Sequence, residues 1–222
     1  MPGERLRAAR EHKTRELLLT AAERMFAEHG VRAVSNRQIS EAAGQGNNAA
    51  VSYHFGAKED LLRAITRRHS APIEELRQDM LAGIGDDADL RNWIECLVRP
   101  ITVHLAAAGG PTWFARFGAQ MMTDPSLRPI MVEESLSSPA LVKTTDGVNR
   151  CSVGMPAEVR LERSDMTRQL LVHVIADHER SLSGGSLAPR DSWQKAADGL
   201  IDALSGLWSA SISVPSLSLT ED

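Results

Sequence analysis

The chain has 222 residues, 42% of them hydrophobic and 24% charged, which is enough apolar material for a sizeable core and room for one ordinary domain beside a small one. It contains no run of about 18 apolar residues, so no membrane-spanning helix is expected, and the charged start Met1-Pro2-Gly3-Glu4-Arg5-Leu6-Arg7 lacks the apolar stretch of a secretory signal. The net charge of −4 is uneven: residues 1–70 hold 12 Lys/Arg against 8 Asp/Glu and the remainder 13 against 21, so only the front third should attract phosphate.

In chain order, residues 14–29 read as a helix with Leu17, Leu18, Ala21, Ala22, Met25 and Phe26 on one face, closed by Gly30. Ser35 is placed to cap a short second helix, with Gln38 completing a capping box, and Gly44 ends it. Gln45-Gly46-Asn47 is turn chemistry. Asn47 or Asn48 is expected to cap a third short helix over Ala50 to His54, broken at Phe55-Gly56. A fourth helix starts near Lys58 with Glu59 and Asp60 in its first turn and continues or is followed by more helix to residue 82. After a loop at Gly83-Ile84-Gly85-Asp86-Asp87, a long helix is expected over 88–108, kinked at Pro100 and stopped by Gly109-Gly110-Pro111. A short aromatic helix follows over 112–123. Residues 126–151 are ambiguous, because Pro129, Pro139 and Gly147 interrupt a single helix. Two long amphipathic helices, 158–182 and 190–210, flank a Gly184-Gly185 loop, and disorder is expected in the Ser-rich tail from Ser211. No strand-like alternation and no repeat stands out. Cys96 and Cys151 stand alone, which disfavours a disulfide or zinc scaffold and suits a reducing cytoplasm.

Two short helices joined by a glycine-containing turn, with a longer helix before them, describe a helix-turn-helix. Its second helix must be slim and polar outside to enter a major groove. Here that face would carry Asn47, Asn48, Ala49, Ser52 and Tyr53; Gln45 and Asn48 bring amides that pair with adenine or phosphate. Lys58 at the start of the fourth helix could hold a backbone phosphate. Against this, Tyr53 and Phe55 could be core aromatics of a small bundle and His54 a surface histidine without a role; Phe55, just before Gly56, is expected to point inward.

Three blocks in this region, Ala21-Ala22-Glu23-Arg24-Met25-Phe26-Ala27-Glu28-His29-Gly30, Ile39-Ser40-Glu41-Ala42-Ala43-Gly44 and Tyr53-His54-Phe55-Gly56-Ala57-Lys58-Glu59-Asp60-Leu61-Leu62, resemble in order and spacing the TetR family of bacterial transcriptional regulators. The likeness spans about residues 13–68. It implies an all-α homodimer: a three-helix DNA-binding domain over 1–57, a larger antiparallel helical ligand-binding and dimerisation domain over 58–210, and a tail over 211–222. It implies DNA contacts from Ser35, Arg37, Gln45, Asn47, Asn48, Ala49, Ser52, Tyr53, His54 and Lys58, and release from a two-fold double-stranded operator when a small-molecule effector binds. Two departures stand out. Eight residues separate Gly44 from Tyr53 where the family pattern has seven, and Ala57 replaces a small hydroxyl residue, which removes a cap worth about 0.5–2 kcal/mol.

In the larger part, Trp93, His104, Trp113, Phe114, Arg116, Phe117, Met121 and Met122 suit either an apolar ligand pocket, joined by His173, or ordinary core packing. His173, Asp177 and His178 lie close on one helix, but two ligands without a third are a weak metal site; a hydrogen-bonded or dimer-contact pair is the better reading. Leu170, Leu171, Val174, Leu200, Leu204 and Trp208 form apolar stripes that would pack against a symmetry mate as a four-helix bundle. No metal or cofactor is expected. No G-x-S-x-G, HExxH, P-loop or G-x-G-x-x-G is present, so an enzyme is the weaker reading. A DNA-binding regulator without an effector, or an activator, is an alternative to the ligand-released repressor.

Overall fold

The computed structural model describes residues 2–85, 87–108, 111–183 and 193–212. Among them are ten helices and no strand, the all-α class expected. The helices are α1 (Pro2–His29), α2 (Asn36–Ala42), α3 (Ala50–Phe55), α4 (Lys58–Ala82), α5 (Leu90–Ala107), α6 (Phe114–Thr123), α7 (Arg128–Leu136), α8 (Pro139–Arg150), α9 (Ala157–Ser183) and α10 (Trp193–Ser209). No described helix is long and apolar enough to cross a membrane. The expected stops at Gly109-Gly110, the Gly184-Gly185 loop and all but the first two residues of the tail lie outside the described residues.

One expected boundary is corrected, and two further stretches take definite form. Helix α1 begins at Pro2, twelve residues before the expected start; residues 4–13 are all exposed, so no apolar face announces them. The ambiguous stretch is two helices rather than an interruption. Pro129 and Pro139 sit in the first turns of α7 and α8, where a missing N–H costs no helical bond, and Ser138 caps α8 by accepting from the Leu141 N–H at 3.3 Å. Helix α5 runs unbroken through Pro100. Proline there cannot donate to the carbonyl four residues back, and that Cys96 oxygen accepts instead from Nε of the buried Arg77 at 3.1 Å.

Two apolar clusters form the interior. The first gathers Leu18, Leu19, Ala22 and Phe26 of α1, Ile39 of α2, Val51 of α3 and Leu61, Leu62 and Ile65 of α4, and it continues into Phe117 and Met121 of α6 and Ile130 of α7. Phe26 and Phe117 stack at 6.2 Å with planes 28° apart. The second cluster joins Trp93, Ile94 and Val98 of α5 with Val148 of α8, Ile175 of α9, and Leu200, Ile201 and Leu204 of α10. Gly147 of α8 lets the Trp93 indole pack where a Cβ would otherwise be.

Polar joints tie the helices together. Glu179 of α9 accepts from the N–H groups of Ala115 and Arg116 at 3.2 and 2.9 Å and from Arg116 Nε at 3.2 Å, which satisfies the otherwise orphaned donors at the start of α6. Arg67 of α4 meets Glu134 of α7 through two bonds of 2.8 Å. At the meeting of α1, α4 and α5, His69 contacts Glu23 Oε2 through Nε2 and His104 Nε2 through Nδ1, both at 2.8 Å, with Phe114 stacked on its ring at 4.1 Å.

Candidate nucleic-acid interface

The front helices hold one short polar segment away from the body. Ser35 caps α2 as its sequence foretells: its hydroxyl accepts from the Gln38 N–H at 3.3 Å, and Gln38 Oε1 accepts from the Ser35 N–H at 2.8 Å. Gly44 at φ 67° turns the chain out of α2. The buried Ser40 hydroxyl donates to the carbonyl of Asn36 at 3.1 Å and reaches that of Asn48 at 3.5 Å, pinning the turn to the preceding helix.

Between Gly44 and Tyr53 the chain makes a turn before α3 begins. Asn47 Oδ1 accepts from the Ala49 N–H at 2.9 Å, a local Asx turn, and the helix starts only at Ala50 with Ala49 as a cap that makes no side-chain bond. The expected capping by Asn47 is therefore displaced into the turn. Ala50 and Val51 point into the core. Asn47, Asn48, Ala49 and Ser52 are exposed, and Tyr53 is 71% exposed. The amides thus lie on the turn leading into α3 and not along its face. Gln45 is half-buried and donates to the Ala43 carbonyl at 3.1 Å. Arg37 is exposed and paired with Glu41 at 2.8 Å. His54, half-buried, stands edge-on to Tyr53 at 5.0 Å. Phe55 packs at the margin of the first core and under Arg15 at 4.8 Å.

Lys58 is drawn inward. Its ammonium donates to the carbonyls of Val31 at 2.5 Å and Val34 at 2.7 Å, and burial lowers its pKa against a smaller opposing pull from Glu59. Two of its three protons therefore clasp the α1–α2 turn. Ala57 offers no side-chain cap to α4; the carboxylate of Asp60 accepts the Ala57 N–H at 3.2 Å instead.

The residues read as a pocket are dispersed. Phe117 and Met121 lie in the front core, Trp93 in the rear core, and Trp113 at the start of α6. His104 is engaged with His69, and Phe114 stacks on that same ring. His173 is exposed on α9. An apolar cavity of about 100 Å³ does lie between α5, α6, α7 and α9, lined by Ile101, Ala115, Gly118, Met122, Met131, Leu171, Val172 and Ile175. Leu200, Leu204 and Trp208 are buried within the chain, Trp208 donating its indole N–H to Thr167 Oγ1 at 2.8 Å. Leu170 and Leu171 are half-buried and Val174 is exposed. Asp177 is paired with Arg180 and not with His173, while His178 is buried edge-on to Trp193 at 4.7 Å. The described residues contain no cluster that would hold a metal. Glu23, His69 and Glu179 escaped the sequence reading, since their partners lie 35 to 64 residues away and no local pattern announces them.

A capped short helix, a pinned turn and an outward polar segment held by a common core define a helix-turn-helix protein. Residues 18–65 match the sequence model described as "Bacterial regulatory proteins, tetR family". The likeness to the TetR family covers that front segment of the chain. It is 31% identical over 86 residues to the HTH-type transcriptional repressor AcnR of Corynebacterium glutamicum, an alignment that covers 36% of this chain and 45% of that protein. The match thus spans less than half the length of that relative. Its fold resembles a TetR family transcription regulator from Marinobacter aquaeolei VT8, with a TM-score of 0.58 at 18% identity over 90% of this chain and 96% of the other. It also resembles NalD, the secondary repressor of the MexAB-OprM multidrug efflux pump in Pseudomonas aeruginosa, with a TM-score of 0.56 at 22% identity over 87% and 96% of the two chains.

Proposed function

We propose that the protein is a dimeric, cytoplasmic DNA-binding regulator without catalytic activity, most simply a repressor that leaves a two-fold operator when a small apolar effector binds. The observation that carries this is the exposure of Asn47, Asn48, Ala49, Ser52 and Tyr53 on a segment whose inner side is anchored by Ala50 and Val51. Asn48 reads base edges, Tyr53 and His54 meet phosphate, and Lys58 serves through the turn it clasps. The two recognition segments of a dimer lie one helical turn of DNA, or a multiple, apart. An effector removes the protein from DNA by no more than its differential affinity for the two dimer geometries.

Enrichment of bound duplexes from a random pool tests this reading. A two-fold sequence should emerge, with affinity falling steeply as salt rises. Tyr53→Ala should weaken all duplexes alike, whereas Asn48→Ala should alter the selected sequence. A chain that retains no duplex at low salt is not such a regulator. A second reading, a regulator without an effector, draws on the size of the apolar cavity, about 100 Å³ against roughly 300–1,000 Å³ for ordinary ligand pockets. Under the effector reading Met122 and Met131 swing aside to enlarge it, as flexible thioether chains allow. Quenching of tryptophan emission by apolar compounds that also release DNA separates the two.

A further inference from the structure

Residues 4–13 of α1 contribute no buried side chain to the core. The first fully buried α1 residues are Leu18 and Leu19, and residues 4–13 are exposed throughout. At about 1.5 Å per residue they form a rod of roughly 15 Å beyond the core. It carries Arg5, Arg7, Arg10 and Lys13 against Glu4 and Glu11. Arg7, Arg10 and Lys13 recur every third residue and so run along one flank. Arg7 bonds to Glu11 at 3.2 Å; Glu11 first, and then Tyr53, strengthen its hold on its proton. Arg15, two residues inward of Lys13, lies over the Phe55 ring of α3 at 4.8 Å, so the rod leaves the core beside the recognition segment.

We infer that this amino-terminal rod is a second DNA-binding surface, which lays Arg7, Arg10 and Lys13 along the duplex phosphates that flank the site read by α3. The inference rests on the DNA-binding reading above. Duplex DNA is the occupant because the flank is cationic, helical and leaves the core beside α3, and because a phosphate strand offers one charge about every 3.4 Å. Nothing in the rod reads bases, so it adds affinity and salt dependence without changing sequence preference.

The test compares the full-length protein with the double variant Arg10→Gln/Lys13→Gln and the triple variant that adds Arg7→Gln. The probes are a duplex selected from a random pool with long flanks and the same duplex trimmed to its two-fold core. On the long duplex, the slope of log K against log salt should shrink by about 1 for each phosphate that is no longer neutralised, and affinity near physiological salt should drop about tenfold or more. On the trimmed duplex the three proteins should converge. Arg10→Lys should keep the parent's behaviour, and helical content and thermal midpoint should be unchanged. The double variant leaves Arg7 beside Tyr53, so its weaker binding cannot be charged to a disturbed α3. Variants equal to the parent on the long duplex overturn the inference while leaving the regulator reading intact, as does a deficit that persists on the trimmed duplex. A parent that binds neither duplex removes the regulator reading itself.

Discussion

Gly147 shows how one atom can be forbidden in this protein. A β-carbon there would overlap the buried Trp93 indole, so helix or ring must shift to admit it. Gly147→Ala should cost about 1–3 kcal/mol through overpacking, read as a lower urea midpoint with unchanged slope. Two histidines set a pH dependence. Burial is the first cause that lowers the proton affinity of both His104 and His178, and His69 adds to it for His104. The unfolded chain therefore binds protons at these positions more readily than the folded one. Their contribution is complete above the ordinary histidine value and is lost as pH falls through about 6.5 toward the depressed folded values. Calorimetry across this range should show the melting temperature falling, with a shallower fall in His104→Gln/His178→Gln. Glu134 acts in a separate, more acidic window: its hydrogen bonds with Arg67 chiefly hold its pKa down, so its contribution is present above the ordinary carboxylate range and drains only below it.

At the scale of helices, α6 depends on a carboxylate borrowed from α9. Removing Glu179 leaves two N–H groups and the Arg116 guanidinium without their buried acceptor. Glu179→Ala should cost about 3–5 kcal/mol, and amide exchange should accelerate first in the opening turn of α6. This joint was illegible in the sequence, whereas the α2 capping box was fully legible, because Ser35 and Gln38 are three residues apart and make their bonds within one turn. The exposed segment before and within α3 was legible for a related reason: Ala50 and Val51 are the small and branched residues its inner side needs. The start of α1 was hidden because exposed helix carries no apolar period. Helices α7 and α8 were hidden because Pro129 and Pro139 read as breakers until their first-turn positions are known. The rear stripes were seen correctly as apolar, but sequence does not say whether such a stripe faces its own chain or a copy; Leu200, Leu204 and Trp208 face α5 and α9.

For the whole molecule, one part of the exposed apolar surface lies on α9. Met166 and Val174 are 49% and 39% exposed, and with Leu170 they follow a spacing of four, a flank suited to a two-fold helix pair. Sedimentation should give the mass of two copies, and Met166→Glu/Val174→Glu should give one, with operator affinity lost in proportion. The stack of Phe26 on Phe117 carries a consequence for protein engineering. The front helices do not close their interior alone, since α6 and α7 supply one wall of it. A chimera that transplants the first 57 residues onto a foreign body would leave Phe26 uncovered unless the host offers replacements for Phe117 and for Leu61, Leu62 and Ile65 of α4.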